Sequence, residues 1–382
     1  MDTPAVTIHG SCDPAFGKVK DAFARNFTER DEHGAAVTVY RHGKPVVDLW
    51  GGVADTRSGA PWQRDTLAAA FSISKAFTAT LGHMAAERGL LDLDAPVARY
   101  WPEFGANGKD GILVRQLFTH QAGLYYIDAD LKPGDAYDWN LMTRLLAAQK
   151  PVAPPGGTPI YHSMTFGYLI GEVLRRVTGK TIAPLVREWI ATPLGVDFHF
   201  ALTDAEIARC AHLVMAPPPN PPLPVRGQPE IVALTSRGNA AGDRFNAESF
   251  RKAEVGAGSG HGTARGIARF FAALGNGGEL DGVRLLTAET VRKATKFQIE
   301  SQDPVFGIHN RFALGYQLNT PGEHPMGADM DAFGHMGAGH RIGFADRKTG
   351  LSFGYVSGLF GVTPGLGPRG LALVRALYDS IG

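Results

Sequence analysis

The sequence predicts an α+β fold: both ends of the chain join one antiparallel sheet flanked by terminal helices, and a mostly helical block is inserted as a second lobe. Three observations predict it. β-rich runs occur near the start (37–52) and again near the end (312–358) of the 382 residues. Between about 90 and 260 the pattern is helices and long loops instead. No period of roughly 20–50 residues recurs, so a solenoid is not expected. At roughly 150 residues per domain, this length suits two domains or one large two-lobed unit. The expected division places 1–68 and 262–382 in the sheet domain and 69–261 in the helical one. The site is then expected in the cleft between them, where ligands are favoured.

Each element has its own signal. In 14–29, Val19, Ala22, Phe23 and Phe27 recur at helical spacing. Segment 37–52 reads as two strands around His42-Gly43, a hairpin. Segment 72–88 is a strongly apolar helix, with Gly89 as its stop. Further helices are expected at 163–177, 183–191 and 203–211. The proline-rich segment 217–229 cannot be a helix interior or a central strand; it is either a solvated extended loop or a lid over a site. Segments 312–319, 331–339, 341–347 and 350–358 read as consecutive antiparallel strands, and 371–381 as a closing helix.

Composition removes several function classes. The chain is 44% hydrophobic and 20% charged, ordinary for a globular protein. A formal net charge of +1 gives no reason to expect binding to nucleic acid or to an anionic membrane surface. No apolar run approaches the roughly 18 residues of a spanning helix. MDTPAVTIHG (1–10) has neither a basic start nor an apolar core, so no secretory signal is expected. Cys12 and Cys210 are too few for a disulfide framework; two buried thiols in a reducing cytoplasm are expected instead. There is no H-E-x-x-H and no paired C-x-x-C, and the 13 histidines are scattered, so neither zinc nor any other cofactor is expected.

Four stretches offer candidate chemistry. Ser72-Ile73-Ser74-Lys75 opens the apolar helix. Positions i and i+3 share a helix face, so hydroxyl and amine meet. The helix N-terminus aims free N–H groups at developing negative charge. A lysine buried there is pushed towards its neutral form, a possible base. The same spacing recurs at Ser249-Phe250-Arg251-Lys252, but charged, Gly-rich sequence follows and it reads as surface. Gly350 to Gly354 fits G-x-S-x-G, yet no histidine follows His340 and the chain continues as strand, so Ser352 reads as a strand residue. Gly179-Lys180-Thr181 lacks the first glycine of a P-loop, since Leu174 stands there; it reads as a helix end.

Two further segments give the first candidate its context: Tyr161-His162-Ser163 at the mouth of a helix, and His335-Met336-Gly337 in an expected strand. Their order and spacing after Ser72, with FSISKAFTA (71–79), LFTHQAGL (117–124), YHSMTFGYLIGEVL (161–174) and FGHMGAGHRIGFAD (333–346), resemble the serine β-lactamase and DD-peptidase superfamily. The chain looks closest to class C-like members, and within them to family VIII carboxylesterases, from about residue 10 to the end. The resemblance implies a β-lactamase/transpeptidase-like fold. It makes Ser72 the nucleophile, Lys75 its base partner and Tyr161 the second proton handler, with the backbone N–H groups of Ser72 and Ala338 as the oxyanion hole. Gly337, His335, Ser163 and Tyr125 are then expected at the substrate site. Lys348-Thr349-Gly350 imitates the superfamily's third motif but follows GFAD, where a hairpin turn is expected, and is rejected.

The departures shape the expected activity. His335 stands where β-lactamases carry lysine, which removes a fixed cation facing a substrate carboxylate near neutral pH. Ser163 replaces the usual Asn and its amide. His340 and Arg341 stand where small residues are usual, so a narrower cleft edge is expected, with Arg341 a candidate to restore positive charge. Tyr125, Tyr126, Trp139, Phe198 and Phe200 are candidates to line an acyl or alcohol pocket, or simply to fill the core. The implied function is a serine carboxylesterase acting on a small short-acyl ester, with weak β-lactam hydrolysis on the side. Either neutral Lys75 or a Tyr161 phenolate could activate the serine. A β-lactamase or D-amino-acid peptidase, an acyltransferase and a non-catalytic ligand sensor remain alternatives.

Overall fold

The computed structural model describes residues 6–240 and 242–382. The start of the N-terminal segment read above, residues 1–5, lies outside them. The centre of the fold is a ten-stranded sheet. Its strands are Ile8–Cys12 (β1), Gly34–Arg41 (β2), Lys44–Asp55 (β3), Ile299–Gln302 (β4), His309–Phe312 (β5), Gln317–Leu318 (β6), Phe333–Gly337 (β7), Arg341–Asp346 (β8) and Leu351–Ser357 (β9), plus Ala60–Pro61 paired to β3. They run β1-β3-β2-β9-β8-β7-β6-β5-β4, each antiparallel to its neighbour. The two chain ends meet where β2 pairs with β9, from Arg41 opposite Leu351 to Ala35 opposite Ser357.

Helices cover both faces, so β7, β8 and β9 are buried along their whole length. The main helices are Gly17–Glu29 (α1), Ser74–Glu87 (α2), Trp139–Ala148 (α3), Thr165–Thr178 (α4), Ala264–Gly275 (α5) and Gly367–Tyr378 (α6). On one face Val19, Phe23, Leu373 and Leu377 of the terminal helices α1 and α6 pack on Val37, Leu49, Phe344 and Phe353. On the other face lies α5, which sequence reasoning did not single out. Its approach is steric: a Cβ at Gly343 would lie 2.4 Å from Ile267, and one at Gly354 2.4 Å from the Ala264 carbonyl. These glycines face each other across β8 and β9, so the helix backbone sits in the trough they leave.

Helix α2 is buried from Ser74 to Ala85, its polar Ser74, Lys75, Thr78, Thr80 and His83 included. Phe77 stacks between Phe198 (centroids 3.7 Å apart) and Phe270 of α5 (3.9 Å), which fastens α2 to the sheet-bound helix. Phe198, Phe200 and Trp139 are therefore packing residues, with Trp139 bonded to Glu172 on α4.

Several expectations need correction. Segment 312–319 is not one strand: Phe312 pairs with Gln317 across a tight turn. Gly315, at φ +86°, presses that turn onto α2, where a Cβ would lie 2.3 Å from Ala79. The helix expected at 203–211 is the single turn Asp204–Ile207, too short to sustain a buried apolar stripe. Cys12 and Cys210 are free as expected but only half-buried. Among the described residues no helix is long and apolar enough to cross a membrane.

Candidate active site

Ser72 lies in a short 3-10 turn, Phe71–Ile73, that feeds α2. Lys75, one turn on, is completely buried. Its Nζ stands 3.1 Å from Ser72 Oγ and donates to the carbonyls of Ser163 (2.7 Å) and Ala257 (3.0 Å). The Ala257 carbonyl is brought there by segment 255–261, which runs along α2: Thr78 Oγ1 donates to the Gly256 carbonyl and the Gly260 amide to Ser74 Oγ. Burial, with no carboxylate partner among the described residues, pushes the Lys75 ammonium well below the usual lysine range. A neutral amine has two N–H donors and one lone pair. Two carbonyls take the donors, and the lone pair is left for the Ser72 hydroxyl proton.

Tyr161 sits across the same serine. Lys75 Nζ is 4.8 Å from its ring centroid, and hydrogen bonding to Ser72 partly offsets the burial that raises the phenol above its ordinary range. The segment is fixed from outside the motif: Asp303 accepts the Tyr161 amide at 2.8 Å and the amides of Val305 and Phe306 through its other oxygen. His120 and His162 brace it from behind. His120 accepts the His162 amide, and the His162 ring bridges the Ile160 carbonyl and the Leu124 amide.

The end of β7 passes directly over the residue before Phe71, since a Cβ on Gly337 would lie 2.3 Å from the Ala70 carbonyl. Ala338, exposed, follows. A cavity of about 410 Å³ opens here. Ser72, Tyr161, Ser163, Gly337 and Ala338 line it with Phe306, Ile308 and Met336, as do Phe360 and Val362, with Gln317 and His324 as polar members. Burial holds His324 neutral, down to about 4. The proline-rich segment is exposed over 220–229 and pinned at both ends beside this cavity, by the Ala216 amide on the Phe360 carbonyl and the Gln228 amide on the Val305 carbonyl.

Ser72, Lys75, Tyr161, Ser163, Gly337 and Ala338 thus come together, whereas two expected substrate contacts do not. Tyr125 is buried with Ile160 and Val305, pulled into a small apolar cluster where Tyr126 also packs. His335 is 1% exposed; it bonds to the Met336 carbonyl at 2.7 Å and lies beside the Tyr161 ring rather than on the cavity wall. Burial and the nearby Lys75 hold it neutral. Asp303 and the walls at 306–308 and 360–365 escaped sequence reasoning; the turn-forming Asp303-Pro304 was the one local sign. The decoys lie elsewhere: Ser352 is a buried strand residue bonded to the Ala268 carbonyl, Lys348–Gly350 form the β8–β9 turn, and Gly179 ends α4.

Comparisons with known proteins bear on the family and the fold. The beta-lactamase family model matches residues 21–374. The chain is similar to "Esterase/beta-lactamase LipL" of Mycobacterium tuberculosis (strain ATCC 25618 / H37Rv), with 37% identity over 377 residues covering 91% of this chain and 82% of that protein. It is similar to the crystal structure of a family VIII carboxylesterase, at 37% identity and TM-score 0.90 over 98% of this chain and 100% of the other. It is also similar to a penicillin-binding protein homolog from Caulobacter crescentus, at 36% identity and TM-score 0.89, again over 98% and 100%.

Proposed function

The chain belongs to the beta-lactamase family and has the β-lactamase/transpeptidase-like fold, and from that premise we propose that it is a serine carboxylesterase hydrolysing short-chain acyl esters through an acyl-enzyme on Ser72. One observation carries the proposal: the Lys75 amine, buried with no carboxylate partner among the described residues, stands 3.1 Å from Ser72 Oγ. Burial acts on both titrating partners, depressing the amine and raising the phenol. It thereby favours neutral Lys75 over a Tyr161 phenolate as the acylation base.

Lys75 takes the Ser72 proton as Oγ bonds to the ester carbonyl carbon. The oxyanion faces the N–H groups of Ser72 and Ala338; losing one such donor costs roughly 3–4 kcal/mol in other hydrolases. The tetrahedral adduct then expels the alkoxide, which leaves as the alcohol with the proton passed from Lys75 through the Tyr161 phenol. Water gives its proton back to the same pair, attacks the acyl carbon, releases the acid and returns Ser72 to its hydroxyl form.

The cavity favours neutral substrates. Among its lining residues there is no lysine or arginine to grip a carboxylate, and the third-motif histidine is neutral and buried. Similarity to the mycobacterial esterase/beta-lactamase favours a second, weaker reading, β-lactam hydrolysis at the same serine. The proposal keeps the division into 1–68 with 262–382 and 69–261, supported by all ten sheet strands falling in the first pair of segments. It also keeps a cytoplasmic location, supported by two unpaired thiols. Hydrolysis of p-nitrophenyl butyrate by wild type and Ser72→Ala tests the reaction. Turnover is expected in the first and not the second, and faster turnover of a chromogenic cephalosporin would favour the second reading.

A further inference from the structure

The turn after β7 contains a buried cation that the mechanism does not use. Arg341 is 0% exposed. One terminal nitrogen donates to the carbonyls of Ala338 (3.1 Å) and Gly339 (3.0 Å), and the other to the carbonyl of Ser357 at 2.5 Å. The guanidinium carbon lies 5.2 Å from the ring centroid of Phe71 and 5.8 Å from that of Phe360. Its polar partners are therefore carbonyls, and no carboxylate among the described residues pairs with it. Burial lowers it only to about 10, so it stays cationic at neutral pH.

These contacts reach both halves of the oxyanion site. Ala338 carries one N–H, and the Phe71–Ser72 peptide carries the other. Both segments hold unfavourable backbone: Phe71 at φ +47° and His340 at +74°. A non-glycine residue in the left-handed region persists only where its surroundings over-determine it. His340 is pinned by Thr363 Oγ1 at 2.8 Å, and the Phe71 ring by Phe245 and Phe360. Arg341 touches both segments at once, bonding to the Ala338 and Gly339 carbonyls and facing the Phe71 ring, and Phe360 packs against the same two segments.

We propose that Arg341 is a positioning residue for the oxyanion hole: its guanidinium ties the 338–339 turn to β9 and to the Phe71 ring, so that the N–H groups of Ser72 and Ala338 converge on one point. The inference rests on the acyl-enzyme reading above. A planar fork with donors in fixed directions suits three carbonyls; a lysine offers a point charge on a flexible stem. The guanidinium feels the Glu32 carboxylate, so its part is positional: it holds the turn that carries the Ala338 N–H.

The test compares wild type, Arg341→Lys and Arg341→Met on p-nitrophenyl butyrate, with rates normalised to serines titrated in the acylation burst so that only folded sites count. Affinity for benzeneboronic acid, which forms a tetrahedral adduct on a nucleophilic serine, is measured beside it. For Arg341→Met the expected result is a drop of about 100-fold in kcat, the size of an angstrom-scale misplacement. KM should stay nearly constant and boronate affinity should fall in parallel. Arg341→Lys should recover only part of the loss, and it carries the test alone if the Met variant does not fold. Unchanged kcat and boronate affinity in Arg341→Lys, or a rise in KM alone, overturns the positioning role. Activity surviving in Ser72→Ala, or absent from wild type, overturns the acyl-enzyme reading instead.

Discussion

The chain holds the same four-residue spacing twice, with opposite outcomes. Lys75 is wholly buried, faces carbonyls and a hydroxyl, and is driven towards the neutral amine. Lys252 has 43% of its side chain exposed and pairs with Asp204 at 2.8 Å and Glu248 at 2.5 Å; its partners hold the ammonium above the ordinary lysine range. Ser72 lines a cavity, whereas Ser249 lies on an exposed turn with no bond to its lysine. Spacing brings a hydroxyl and an amine to one helix face in both places. Whether the amine can act as a base is set by solvent and counter-charge.

The sharpest way to break this contrast is to remove each serine. Ser72→Ala should lower ester turnover by about 10⁴-fold or more, measured as steady-state release of p-nitrophenol, while Ser249→Ala should match wild type. Equal losses would erase the distinction. Tyr161→Phe should cost roughly 10²–10⁴-fold in kcat, the usual scale of a lost proton handler, with no acid leaving the acyl-enzyme at the normal rate in single-turnover assays.

The two lysines should also differ in pH behaviour. Between its depressed folded value and its ordinary 10.5, the unfolded chain binds a proton at Lys75 that the folded chain does not hold. In that window each rise in pH disfavours the proton-binding unfolded state, so stability rises with pH. Urea titrations of wild type against Lys75→Met should show this extra slope in wild type alone. For the same reason kcat/KM should fall on the acid side as Lys75 protonates. That limb should persist in His335→Gln, because His335 is already neutral; its disappearance there would move the base away from Lys75.

The smallest effect concerns the third serine. Ser352→Ala removes one buried hydroxyl bonded to the Ala268 carbonyl. It should cost on the order of 1 kcal/mol in thermal unfolding and leave turnover unchanged. Loss of turnover would restore the G-x-S-x-G reading.

Much of this was legible in advance where the signal is local. The helix period put Ser72 and Lys75 on one face, the His42-Gly43 turn joined β2 to β3, and the absence of a later histidine removed Ser352. Other parts were not legible, because they depend on segments meeting across the sheet. Helix α5 carries Ile267, Phe270, Phe271 and Leu274 at helical spacing, yet only the glycines of β8 and β9 show why it lies where it does. The 312–319 apolar run looked like a strand because its turn is built around Gly315 and pressed on α2. Tyr125 and His335 flank the right motifs, but Tyr125 packs into an apolar cluster and His335 turns in beside the Tyr161 ring, and no one-dimensional pattern records that direction.

The order of serine, lysine, tyrosine and glycine along the chain, and the helical and β periods that carry them, were properties of the sequence alone. The proton state of Lys75 was not. Two carbonyls, 88 and 182 residues from it, close over the amine and exclude water. Desolvation is a property of everything packed around a charge, so only the assembled fold could push a common lysine towards its neutral amine.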